Sequence, residues 1–315
     1  MRQLRVPRAG LLAVLTVLAV LLSGGIGGGR ASAVPGLDAI PAGKSLRVVI
    51  SGGLVRIFHV YRPGGLTAAA PLVVVLHGGY GDGAQAERDY HWDTEADQGH
   101  FIVAYPNGLV RAWDAGSCCG VPENLRVDDV AFITAMVNAI EQWAPIDPAR
   151  IYATGMSNGA MMALRLGCQT PTFAAIAPVA GTLVTDCSHA QPTSVLQIHG
   201  TADDRVPYDG GPGKTRTITG KPTVDGPSVP SVSATWRAID ACAAPTSTTA
   251  GDVTTETAAC ADGRAVELIS VAGAGHQWPG GARSPLLDWL GVLPPPSTAL
   301  DATDTIWQFF AQHHR

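Results

Sequence analysis

Six nearly continuous apolar runs constrain this chain most: "PLVVVLHG", "FIVAYPNG", "RIYATG", "AAIAPVAG", "SVLQIHG" and "VELISVAG". A strand that is apolar on both faces must be covered on both faces. That is the situation of a parallel sheet with helices packed above and below it. Helical patterns lie between the runs. "VDDVAFITAMVNAIEQWA" has an acidic start and apolar residues at helical spacing, "NGAMMALRLGC" follows the third run, and "LDATDTIWQFFAQHH" closes the chain. Two earlier runs, "LRVVI" and "VRIFHVY", flank "SGGL" and predict an antiparallel start. The alternation gives an α/β fold with a central, mostly parallel sheet flanked by helices. Residues 209–233, rich in Gly, Pro, Ser and Thr, break the pattern and are expected to form an excursion over the ligand face.

One of the turns has a specific chemistry. "GMSNG", Gly155 to Gly159, matches G-x-S-x-G between a predicted strand and a predicted helix. On such a bend a serine holds strained backbone angles and lifts its hydroxyl above the sheet, and small neighbours prevent collisions. Ser157 is therefore the candidate nucleophile. A serine hydroxyl attacks poorly without a base, and the base needs an orienting acid. In an α/β-hydrolase these follow the serine as acid and then histidine. "HGTADDRVPY" places Asp203 and Asp204 just past the end of a strand, with Asp203 the candidate acid, Asp204 its alternative and Asp209 a third. "GAGHQWPGG" places His276 in a Gly-rich loop after the last strand, as candidate base. The histidines upstream of the serine lack this order, His189 lies in a loop next to Cys187, His313 and His314 stand at the C-terminal end, and His77 and His199, in strand-ending "HG" pairs, read as loop braces.

An oxyanion needs two donors. The backbone N–H of Asn158 is one, and "LHGGYGDG" offers the other at Gly79, with Tyr80 as the alternative. In this reading Asn158 acts through its backbone and not its side chain. Tyr80, Trp113 and Trp278 are candidate pocket residues. Trp113 is placed at the rim, and Trp278 is divided between pocket wall and structural wedge. Trp92, Trp143, Trp236 and Trp307 read as packing.

The first residues point to export. "MRQLRVPR" is basic, a 12-residue run "LLAVLTVLAVLL" follows, and "ASA" stands at 31–33. That is the layout of a signal peptide, and the run is short of the roughly 20 residues a membrane span needs. The expected organisation is a signal peptide over 1–33 and one catalytic domain over 34–315, secreted and without a membrane anchor. The leader holds four arginines and no acid, so its removal takes the formal charge from −5 to −9. That argues against nucleic acid and anionic membranes as partners. All six cysteines lie after residue 117, and an even number in an exported chain suggests disulfides. Short bridges Cys168–Cys187 and Cys242–Cys260 are the expected pairs, the first around a predicted strand and the second around a Thr- and Ala-rich loop. Cys118 and Cys119 are left to pair with each other or elsewhere. No metal is expected, because neither paired CxxC motifs nor helical His pairs occur.

Taken as a set, "LHGG", "YPNG", "CCG", "VDDVAFI", "GMSNGAMM", "FAAIAPVAG", "HGTADDRVPY", "GHQWPGG" and "IWQFF" resemble the secreted poly(3-hydroxybutyrate) depolymerase and feruloyl esterase family of α/β-hydrolases, over roughly residues 45–313. The resemblance implies a cofactor-free serine esterase. Ser157, Asp203 and His276 match the family's nucleophile, acid and base, and Gly79 matches its oxyanion donor. It also supports the two cysteine pairs. Unlike the dedicated polymer degraders, this chain shows no Thr-rich linker or surface-binding module, which directs the expectation to a soluble or partly soluble substrate. The leading expectation is a feruloyl or related ester on plant polysaccharide such as xylan. A hydroxyalkanoate oligomer is the alternative, and a serine peptidase or a secreted binding protein without catalysis are more distant readings.

Overall fold

The computed structural model describes residues 39–217, 219–283 and 295–315. The expected signal peptide at 1–33 lies outside them. Among the described residues the strands are β1 (Gly43–Ser51), β2 (Leu54–Arg62), β3 (Ala70–Leu76), β4 (Ile102–Pro106), β5 (Ile146–Met156), β6 (Ala175–Val179), β7 (Ser194–Gly200), β8 (Gly211–Pro212), β9 (Asp225–Gly226), β10 (Thr246–Ala250), β11 (Val253–Ala259) and β12 (Ala265–Val271). The helices are α1 (Gly83–Asp89), α2 (Trp92–Gly99), α3 (Gly120–Leu125), α4 (Asp129–Trp143), α5 (Asn158–Gln169), α6 (Val229–Ile239) and α7 (Ala302–Phe310).

Ten strands form one sheet in the order β1-β2-β4-β3-β5-β6-β7-β12-β11-β10. From β4 to β12 all neighbours are parallel, and the pairs at both edges are antiparallel. The central strands β3, β4, β6 and β7 are buried along their whole length, as their unbroken apolar runs require. Side chains of a strand alternate between faces, so β3 feeds two cores. Leu72, Val74 and Leu76 pack with Phe132, Ile133 and Met136 of α4, Met161 and Met162 of α5 and Trp236 of α6. Val73 and Val75 pack with Trp92 of α2 and with Ile306 and Phe310 of α7.

Helix starts follow local rules. Asp82, Asp128, Ser228 and Asp301 each accept a first-turn N–H and cap α1, α4, α6 and α7. α5 has no such side-chain cap, which matters below. The antiparallel start expected from "LRVVI" and "VRIFHVY" is present as β1 and β2 in register, with Leu46, Val48, Ile50, Val55 and Ile57 exposed on one face.

One local expectation is corrected. The Thr- and Ala-rich stretch between Cys242 and Cys260 is not a loop but the hairpin β10–β11. Its β-branched threonines suit a pleated strand, and they face each other across it, with Thr249 Oγ1 3.0 Å from Thr254 Oγ1. The 209–233 excursion carries structure of its own. It holds the small β8–β9 ladder and, from Val229, the start of α6. It is tied to the loop after β7, where Lys214 N–H donates to the Asp204 carbonyl at 2.8 Å. Three disulfides are formed: Cys168–Cys187, Cys242–Cys260 and Cys118–Cys119.

Candidate active site

Ser157 stands between the end of β5 and the start of α5 with φ 57° and ψ −120°. A positive φ on a residue with a Cβ is strained and needs its surroundings to hold it. Here Ser157 N–H donates to the Val179 carbonyl on β6 at 2.9 Å, and Ser157 O accepts from Met161 N–H at 3.0 Å. The flanking glycines allow the bend to press on β3. A Cβ on Gly155 would lie 2.6 Å from the Leu76 carbonyl oxygen, and one on Gly159 would lie 2.5 Å from that of His77. The serine turn therefore touches, backbone to backbone, the end of the strand that leads into Gly78 and Gly79.

Two loops at the same end of the sheet bring in the other groups. His276, after β12, has Nε2 2.9 Å from Ser157 Oγ and Nδ1 2.8 Å from Asp203 Oδ2. Asp203, after β7, accepts the N–H groups of Arg205 and Val206 on Oδ1, each at 2.9 Å. Burial opposes the charge on this carboxylate. Hydrogen bonds from His199 and His276 outweigh it and hold the carboxyl well below the usual range. An ionised carboxylate only accepts, so the His276 proton sits on Nδ1 and the Nε2 lone pair faces the serine hydroxyl. Such an arrangement can take up the hydroxyl proton as the oxygen attacks a carbonyl carbon. Asp204, the alternative acid, points away and pairs with Lys214 at 3.0 Å, both exposed.

Because α5 opens without a side-chain cap, its first N–H groups, beginning with Asn158, have no intrahelical acceptor. Gly79 lies alongside, a Cβ there being 4.0 Å from that of Asn158. Among the described residues no hydrogen bond engages the Gly79 N–H, whereas Tyr80 N–H is committed to the Arg111 carbonyl at 2.8 Å. Of the two expected donors in this loop, Gly79 is the one left available. Tyr80 itself is 86% exposed. His77 braces the turn, as its "HG" position suggested. Its Nε2 accepts from Gly108 N–H at 2.9 Å, its Nδ1 lies 2.8 Å from the Gly78 carbonyl, and burial lowers its pKa to about 4.

Trp113, expected at the rim, is instead buried, and Trp278 takes the structural one of its two readings. Trp113 is fully buried, and its Nε1 donates to the His77 carbonyl at 2.9 Å. Trp278 is 3% exposed, stacks on Tyr90 at 4.4 Å and donates to Thr303 Oγ1 at 3.1 Å. Each indole N–H found an interior acceptor, which a rim position does not provide. The side chain of Asn158 also has a task that was not foreseen. Its Oδ1 accepts Trp113 N–H at 2.7 Å and its Nδ2 donates to Trp113 O at 3.0 Å. The next residue, Asp114, pairs with Arg165 of α5 at 2.9 Å, and its N–H donates at 2.9 Å to buried Asp129, which pairs with Arg56 at 2.7 Å. These contacts depend on residues distant in sequence and left no local pattern to read. A polar cleft of about 820 Å³ lies beside this strapped loop, lined by Asp114, Glu123, Arg126, Asp128 and Arg165 among others. None of Ser157, Asp203 and His276 lines it.

Known proteins resemble this chain in sequence and in fold. The family model described as Esterase PHB depolymerase matches residues 57–250. NocK of Nocardia uniformis subsp. tsuyamanensis, which is assigned as an esterase, is 36% identical over 269 residues, covering 76% of this chain and 75% of that protein. Feruloyl esterase B of Piromyces equi is 32% identical over 228 residues, covering 68% of this chain but 41% of that protein, so this chain spans less than half of its length. Among solved structures, an acetyl xylan esterase from Aspergillus awamori superimposes with a TM-score of 0.54 at 18% identity, over 78% of this chain and 99% of that one. At that identity the likeness speaks for the fold.

Proposed function

The chain belongs to the PHB depolymerase esterase family and is a carboxylic ester hydrolase, and from that premise we propose that Ser157, His276 and Asp203 form its catalytic triad. Ser157 Oγ attacks the ester carbonyl while its proton passes to His276 Nε2. The N–H groups of Asn158 and Gly79 receive the negative charge on the carbonyl oxygen. His276 then gives the proton to the departing alcohol, leaving an acyl group on Ser157. Water, activated by the same imidazole, releases the acid and restores the serine. Asp203 stays ionised throughout and holds the ring with its Nδ1–H inward. No cofactor or metal enters these steps. The observation that carries the reading is His276 bridging Ser157 Oγ and Asp203 Oδ2 at 2.9 and 2.8 Å.

The substrate class follows the relatives. Feruloyl esterase B supports an aromatic acyl ester on plant polysaccharide as the leading substrate, and the family description supports hydroxyalkanoate oligomers as the second reading. The exposed Tyr80 ring is the pocket residue best placed to meet an aromatic group. Secretion, with a leader over 1–33 and a single catalytic domain over 34–315, is part of the same proposal. It is supported by the three disulfides, which persist in oxidising compartments.

Ser157→Ala should abolish hydrolysis of p-nitrophenyl acetate to within the range of the residual catalysis that binding and oxyanion donors supply, a loss of roughly 10³-fold or more. Retention of most of the parent rate would refute the assignment. Release of ferulate, acetate and 3-hydroxybutyrate from model esters, compared side by side, separates the two substrate readings.

A further inference from the structure

The acid of the relay has a second imidazole beside it. His199, at the end of β7, is four residues before Asp203 and almost fully buried. Its Nε2 lies 2.9 Å from the Val206 carbonyl and 3.3 Å from Asp203 Oδ2. A carbonyl only accepts, so Nε2 carries the proton and both oxygens face one N–H. His199 Nδ1 is buried and has no partner among the described residues. The ring therefore makes all of its polar contacts through the one nitrogen that faces the acid loop.

These distances have a consequence for His276. Asp203 Oδ1 is taken by the N–H groups of Arg205 and Val206. Oδ2 alone is left for His276 Nδ1, and His199 Nε2–H competes for that same atom. A hydrogen-bond donor on a carboxylate oxygen withdraws charge from it and weakens it as an acceptor elsewhere. The bond from His199 to the Val206 carbonyl also closes the turn that carries Asp203, fixing its direction.

We infer that His199 is a positioning residue that sets how basic His276 is, by sharing Asp203 Oδ2 with it while pinning the 200–206 loop through Val206. Among the described residues His199 has no polar contact with Ser157, and its route to His276 is the carboxylate they share. With its N–H present, the carboxylate orients His276 but pulls on its Nδ1 proton less strongly than a free one would, and the imidazole sheds its proton at lower pH. Among the described residues, the following titratable and charged groups stand around the pair. His276 faces Asp203 on one side. Tyr208 lies edge-on to the His199 ring at 6.1 Å, with its hydroxyl 2.6 Å from Ser270 Oγ on β12. Asp204 is turned outward to Lys214, and Arg205 meets Asp203 through its backbone N–H.

The inference rests on the triad reading, and the test separates the two. The acid limb of the kcat/KM profile reports ionisation of the base in the free enzyme. His199→Leu removes the donor, and the acid limb should move to higher pH by about half a unit or more, with kcat falling. His199→Gln keeps an N–H at a similar reach and should return the limb to within about 0.2 units of the parent. The low-field proton resonance of the His276 Nδ1–H should move in the Leu variant and not in the Gln variant. If His199→Leu lowers the melting temperature or kcat while leaving both the limb and the resonance in place, His199 is a structural brace only and the inference is wrong. If Leu and Gln shift the limb alike, donation is not the cause and the inference is equally wrong. Asp203→Asn serves as the control: full activity in that variant would overturn the triad reading itself, whatever His199 does.

Discussion

Asn158→Ala tests whether the side chain after the serine matters as much as its backbone. The side chain makes two buried hydrogen bonds to Trp113, accepting its N–H at 2.7 Å and donating to its carbonyl at 3.0 Å. The carbonyl keeps a second partner, Cys119 N–H at 3.0 Å. The N–H has no other, and truncation leaves it buried and unpaired. An orphaned buried donor costs about 1–3 kcal/mol, and the loss of the carbonyl bond adds about 1 kcal/mol. The expected destabilisation is thus about 2–4 kcal/mol. In a domain of this size it lowers the melting temperature by roughly 5–15 °C. Activity should fall as well, although residue 158 keeps its backbone N–H. Trp113 holds the His77 carbonyl through its indole, so a displaced Trp113 loosens the turn carrying Gly79. Removing one oxyanion donor outright costs about 10²–10³ in kcat, and loosening one should cost roughly 10-fold. Asn158→Asp is the sharper companion. It keeps the acceptor for Trp113 N–H but turns a carboxylate oxygen against the Trp113 carbonyl and adds negative charge beside the forming oxyanion, so its kcat should lie below that of the alanine variant. Thermal unfolding and p-nitrophenyl acetate kinetics read both effects. An alanine variant within about 2 °C of the parent and with unchanged kcat/KM would refute the strap.

Two further perturbations address the close approach of the turn and a buried charge. Gly159→Ala puts a Cβ against the carbonyl oxygens of Leu76 and His77, backbone atoms that cannot rotate away. It should destabilise the protein by about 1–3 kcal/mol and lower kcat/KM at the same time, read by thermal unfolding and the same ester assay. Asp240, fully buried beside Arg264 at 2.9 Å, has its pKa raised to about 6, because burial outweighs the hydrogen bond and charge of the arginine. The folded state then holds this proton at a pH where the unfolded state has lost it, so stability falls as pH rises from about 4 to about 6. Asp240→Asn should flatten that part of the stability–pH curve, measured as denaturation midpoints at half-unit steps, and an unchanged slope would show that the carboxyl does not titrate there.

The parts of this molecule that could be read in advance are those whose cause is local. Unbroken apolar runs announced β3, β4, β6 and β7, because a strand covered on both faces has no polar side to show. "GMSNG" announced the bend because only small residues allow β5 and α5 to touch β3. Chain order then placed Asp203 and His276 at the ends of strands. What escaped reading depended on partners far along the chain. The hairpin β10–β11 looked like a loop because threonine is polar by composition, whereas its branched side chain suits a strand. Trp113 looked like a rim residue, and Trp278 stayed divided between pocket wall and wedge, because an indole in a loop has no neighbour until the chain folds. The structure supplies His77 O for one and Thr303 for the other, and both rings go inside.

The same contrast explains how α5 organises the site. Its first residue carries an N–H that no helical carbonyl accepts, and the side chain of that residue reaches the backbone of Trp113. Two turns later Arg165 pairs with Asp114, the next residue of the same loop. A single rigid helix thus fixes the serine bend at its start and holds, along its flank, the loop beneath the turn that carries Gly79. Movement of the helix shifts Ser157 and that loop together. Substitutions at Asn158 and Arg165 therefore belong to one coupled unit. Their effects on kcat/KM should combine to less than the sum of the two in free energy, because whichever goes first has already released the loop. Additive losses in the double variant would mean that the two residues act on separate structures, and the helix would then serve the serine alone.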